Sequence, residues 1–128
     1  MALVCAAGCL WRSYGTIMAV HVDVLTQTAT KLESMARAGR RPVAEDMAEY
    51  TYPAKRAREF LRQFDGYRTR PSYQHFSTLV DRYEAMVREA DAARTMGGDW
   101  SAVVSQLTAE NAALQQLGAE VRSALRAE

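Results

Sequence analysis

The chain has 128 residues, 48% of them hydrophobic and 24% charged, with a net charge of +1 at neutral pH. A compact fold of this length removes roughly two-thirds of the unfolded surface from water, enough for one core without staples and too little for two. The near balance of 16 Lys and Arg against 15 Asp and Glu provides no global field for nucleic acid, so any such partner needs a local patch.

Both cysteines, Cys5 and Cys9, fall in the opening residues, which excludes a disulfide framework. With no neighbouring histidine the pair also lacks the ligands of a zinc site and the spacing of a redox or haem motif. Met1 to Trp11 is an uncharged, mostly apolar run, and Arg12 separates it from a second one, Ser13 to Val22. Neither run reaches the roughly 18 to 20 residues that span a bilayer. Joined, they place Arg12 at the centre, at a cost of about 2.5 to 3.5 kcal/mol, so a transmembrane helix is not expected.

Ala6-Ala7-Gly8-Cys9 resembles the lipobox of bacterial lipoproteins, in which small residues precede a cysteine that is acylated and becomes the mature N-terminus. Ala2 to Gly8 is similar to the end of the apolar segment before that box. Ala6 stands where the family usually has leucine, and no basic region precedes the apolar stretch, so the resemblance requires translated residues upstream of Met1. It implies lipidation at Cys9, a membrane-anchored location in the bacterial envelope, and Leu10, Trp11 and Tyr14 at interfacial depth. The other reading of residues 1–15 is a short apolar arm lying against a cytoplasmic bundle.

Residues 16–128 read as a helical bundle domain. In the first helix, Ile17, Val20, Val24, Thr28, Leu32 and Met35 recur at helical spacing, and Gly39 followed by Pro42 ends it. Pro42 to Met47 opens a second helix. Tyr52-Pro53 predicts a break, because the residue before proline is pushed from helical geometry. The helix resumes to about Phe64, with Ala54, Ala57, Phe60, Leu61 and Phe64 on one face and a basic exterior. Asp65-Gly66 turns the chain and Pro71 opens a third helix, whose stripe is Phe76, Leu79, Val80, Tyr83, Val87 and Ala90. Gly97-Gly98 ends that helix, and Asp99 is placed to cap a fourth. Trp100, Val103, Leu107, Leu114, Leu117, Val121 and Ala124 then follow heptad spacing, with Glu110 the polar interruption. The expected fold is all-α, an up-down antiparallel bundle of four principal helices with the second broken near Pro53.

Chemistry-bearing patterns are few. There are two histidines, no Glu-x-x-His pair, no HExxH, no nucleophile elbow and no phosphate-binding glycine loop. The chain is therefore expected to be no enzyme and to carry no metal or cofactor. In an up-down bundle His21 and His75 both lie near the start of parallel helices, where a pair can ligate haem or a metal. The bland counterpart is a core His21 and a solvated His75. Residues 40–70 hold eight Lys and Arg against five acids, and residues 71–128 the reverse, eight acids against five. That asymmetry reads as complementarity across the bundle surface. Its functional counterpart is a cationic face of Arg56, Arg58, Arg62, Arg68 and Arg70 for an anionic partner. Two functions follow: a small non-catalytic envelope lipoprotein with an interaction module for a protein partner, or a cytoplasmic adaptor binding protein or nucleic acid through the helix-four seam or the arginine face.

Overall fold

The computed structural model describes the backbone of residues 2–96 and 98–128, and the side chains of residues 13–96 and 98–128. Four helices account for nearly all of it: α1 (Ala2–Arg37), α2 (Ala44–Gln63), α3 (Pro71–Thr95) and α4 (Trp100–Ala127), with a 3₁₀ turn at Asp65–Tyr67 between α2 and α3. No strand occurs among the described residues. Each helix packs antiparallel to its chain neighbour, and α1 closes the ring against α4. The result is a four-helix bundle of up-down order, the arrangement short loops impose.

Local signals explain the boundaries. Gly39 adopts φ +76°, and the bonds Arg40 N–H to Met35 O (3.1 Å) and Gly39 N–H to Ala36 O (3.0 Å) form the reversal that commonly ends a helix at glycine. Pro71 stands in the first turn of α3, where its missing N–H costs nothing. Asp99 caps α4 by accepting from Ser101 N–H at 3.0 Å.

The core is continuous from Tyr14 to Val121 and takes every predicted position of α2 and α3. In α4, Leu107, Leu114 and Val121 are buried, and Trp100, Val103 and Leu117 pack around them. The heptad seam is thus turned inward, where it closes the bundle. Asn111 is the buried polar position of that helix, and it donates to Thr30 Oγ1 and Glu33 Oε2 on α1.

Two expectations differ from the structure. In α1 the core-facing residues are Tyr14, Met18, Val22, Leu25, Ala29, Leu32 and Ala36, whereas Ile17, Val20 and Val24 are 38%, 55% and 40% exposed. Both sets have helical spacing. The face that meets the bundle is the one carrying Tyr14, which stacks on Tyr67 (4.4 Å) and Phe60 (5.9 Å). Secondly, α2 runs without interruption from Ala44 to Gln63 with Pro53 inside it. Burial of Tyr50, Ala54 and Ala57 on one continuous face outweighs the lost backbone bond at Glu49. The first helix spans Ala2–Arg37 and so includes residues on both sides of position 15.

Candidate functional site

The residues singled out by sequence do not gather into one place. Cys5 and Cys9 belong to α1, but their side chains lie outside the described residues, and so does the expected lipidation at Cys9. His21 is half-buried beside Phe60 (5.4 Å) and Phe76 (6.2 Å). Burial, and then the Arg56 charge, hold its pKa below the usual imidazole value. His75 lies on α3 and faces Glu120 of α4 at 3.7 Å. The two rings therefore have different neighbours, and among the described residues no group of three His, Cys, Asp or Glu is placed to hold a metal ion. No helix is long and apolar enough to cross a membrane among the described residues.

The five arginines separate by helix face. Arg56 pairs with Glu59 one turn on at 3.4 Å. Arg68 donates to the Asp65 carbonyl at 3.2 Å, and Arg70 lies 3.9 Å from Glu128 and over the Tyr67 ring. Arg58 turns the other way, crossing to α3 to bond Asp81 and Glu84. The Glu84 hydrogen bond, then the one to Asp81, raises its already high pKa against the cost of burial.

Arg58 marks a groove between α2 and α3. Thr51, Lys55, Arg58 and Arg62 line one wall, and Glu84 and Arg88 the other. Ala54 and Val87, both nearly buried, form its floor. Its volume is about 450 Å³, within the range of small-molecule sites. The spacing 51, 55, 58, 62 is one stripe of α2, so the wall follows from helix geometry. Lys55 and Arg88 were not among the sequence candidates. Lys55 sits in the same basic run as Arg56 and Arg58, and its helical phase was the available signal. Arg88 belongs to the acid-rich half of the chain and joins the groove through the tertiary fold alone.

A second unusual feature is a carboxyl pair at the α3–α4 seam. Glu89 Oε2 and Glu110 Oε2 are both shut off from solvent with no hydrogen-bond donor. Gln106 Nε2 donates to the other oxygen of Glu89 at 2.7 Å. Burial, and then the adjacent Glu89 carboxyl, push the Glu110 pKa up to about 8. Burial and the second carboxyl thus both disfavour the charged form of Glu110, the interruption in the heptad pattern.

At the end of the bundle where Tyr14 lies, the tyrosine hydroxyl and Ser72 Oγ are 2.7 Å apart, and Ser72 Oγ donates to Glu128 Oε1 at 2.9 Å. Glu128 Oε2 accepts from Ser72 N–H at 3.0 Å. This chain of bonds ties α1, the start of α3 and the end of α4 together. Beside it, α1 presents Ile17, Val20 and Val24 outward, and a shallow opening lined by Gly15, Ala19, Val20 and Leu125 separates that stripe from α4. No protein-family model, curated protein or solved structure matches the chain.

Proposed function

We propose that this chain is a small non-catalytic lipoprotein of the bacterial envelope, acylated at Cys9, with the helical bundle as its interaction module. The observation that carries the reading is α1 itself. One helix joins Cys9 to Tyr14, and the same helix turns Ile17, Val20 and Val24 away from the core. From Cys9 to Tyr14 the rise is about 7.5 Å, so acyl chains on Cys9 would be seated within about one and a half turns of the buried Tyr14. An outward apolar stripe of β-branched residues beside such an anchor lies naturally against the headgroup boundary, where buried apolar area adds to the attraction of the chains. The lipobox-like Ala6-Ala7-Gly8-Cys9 supplies the chemistry of attachment.

Fractionation of cells expressing the gene from its own locus tests the proposal. The wild-type protein is expected in the membrane fraction and Cys9→Ser in the soluble fraction. Wild type and variant appearing together in the soluble fraction would overturn it.

A further inference from the structure

We infer that the α2–α3 groove binds an amphipathic anion, a phosphate or carboxylate head on an apolar chain. The charge arrangement is the first argument. Arg58 is already engaged by two carboxylates, Asp81 and Glu84, so the negative charge at the groove is matched within the protein. Lys55, Arg62 and Arg88 have neither an ion-pair nor a hydrogen-bond partner among the described residues. Lys31, Arg94 and Arg122 pair with Glu49, Asp91 and Asp23, and what sets Lys55, Arg62 and Arg88 apart from Arg40, Arg82 and Arg126, which also lack an ion pair among the described residues, is that the three line the same concavity. Three unmatched cations lining one concave opening raise the local concentration of anions, and bound Arg58 fixes the middle of the wall between them.

The shape supplies the apolar half. Ala54 and Val87 are small or branched residues at the helix interface, and they leave a floor with no polar group of its own. A second, more polar opening of about 390 Å³ continues along the same helices, shares Arg58 and Arg62, and is lined further by Leu61, Asp65, Tyr73 and Ser77, so the apolar contact rests on the Ala54 and Val87 floor and the aliphatic stems around it. From Thr51 to the end of α2 at Gln63 the track runs for about 18 Å. Inorganic phosphate would use only the charges. An alkyl phosphate uses both the charges and the floor, and burying each methylene adds about 0.8 kcal/mol.

Titration of the full chain with dodecyl phosphate, below its micellar concentration, is the direct test, with inorganic phosphate and dodecyltrimethylammonium as controls. One dodecyl phosphate per chain is expected, binding at least about tenfold more tightly than either control and weakening with added salt. Arg62→Gln combined with Arg88→Gln should lower that affinity about tenfold. The melting temperature should stay unchanged, since neither side chain has a partner to lose. Phosphatidylcholine vesicles containing about 20% phosphatidic acid identify the source. Groove-dependent binding to vesicles assigns the head to a membrane lipid, and groove-dependent binding to the monomer alone assigns it to a free amphiphile. Equal affinity for the anionic and cationic amphiphiles, equal affinity for inorganic phosphate, or full binding by the double variant would each overturn the inference. None of these outcomes depends on acylation at Cys9.

Discussion

Gly118 and Gly15 both lie where α1 meets α4, yet a methyl group added to each meets different surroundings. At Gly118 a Cβ would stand 2.9 Å from Thr26 Cγ2 and 3.4 Å from Val22 Cγ1. Thr26 cannot easily swing aside, because its hydroxyl donates to the Val22 carbonyl at 2.8 Å. At Gly15 the nearest atom is Leu125 Cδ2 at 3.9 Å, an ordinary contact. Replacing a helical glycine by alanine gains about 1 kcal/mol of propensity, while overpacking costs about 1–3 kcal/mol. Gly15→Ala is therefore expected to raise the melting temperature by a few degrees and Gly118→Ala to lower it. Thermal unfolding of the pair checks the close approach of α1 and α4. Glu110 gives the pH dependence. Its folded pKa of about 8 lies above its ordinary 4.5, so the native state binds the extra proton between those values. Stability from this group is full below about pH 4.5 and is lost as pH rises through about 8. The groups facing it are Glu89, Gln106 and the Arg82 charge. Glu110→Gln should flatten the stability profile over that window and raise stability at its alkaline end relative to wild type. Urea unfolding at acid and alkaline pH measures both effects. His21 has the opposite sign: its lowered pKa makes stability fall as pH drops through and below 6.5.

At the scale of elements, helix ends and irregularities are satisfied from across the bundle. Trp100 Nε1 donates to the Ala36 carbonyl at 3.0 Å and so closes the end of α1. Tyr73 Oη donates to the Leu61 carbonyl at 2.7 Å near the end of α2, and Glu128 serves the start of α3. The negative carboxylate of Glu128 also meets the positive end of the α3 dipole. Glu128→Gln is expected to cost about 1 kcal/mol, measurable by chemical denaturation. In the turn before Pro53, Tyr83 Oη adds a bond from α3 to the Tyr50 carbonyl at 2.5 Å, next to the Glu49 carbonyl that the proline leaves without its helical donor. Burial, with Tyr50 and Glu49 nearby, holds the Tyr83 pKa well above the usual phenol range, so it remains a donor. Pro53→Ala restores a backbone donor opposite the Glu49 carbonyl and should stabilise α2, whereas Tyr83→Phe should destabilise it by about 1 kcal/mol. A result in which both variants melt like wild type would contradict this account of the proline turn. The proline penalty at the Glu49 carbonyl was visible in the sequence, but the Tyr83 hydroxyl that anchors the adjacent Tyr50 carbonyl comes from 33 positions away in the chain.

For the whole molecule, what was legible depended on whether the deciding contact was local. The stripes of α3 and α4, the Gly39 reversal and the Asp99 cap rest on neighbouring residues, and each appears in the structure as the sequence suggests. The phase of α1 does not, because Ile17, Val20 and Val24 compete with Met18, Val22 and Leu25 at equal spacing. The choice is made by rings on α2 and the following turn, Phe60, Phe64 and Tyr67, around Tyr14. The arginine face was legible as composition only. Its division, with Arg56 toward Glu59 and His21 and Arg58 toward α3, depends on carboxylates that arrive with the third helix. Seen together, the bundle has a closed core, a basic groove on its α2–α3 side and an apolar stripe on α1 that follows directly from Cys9. Envelope attachment through that cysteine is the central claim, and the intact mass of the native protein from its own cells tests it most directly. The account predicts a membrane-associated chain beginning at Cys9 and heavier by its acyl groups. A soluble chain with an unmodified Cys9 and the residues before it intact would contradict it.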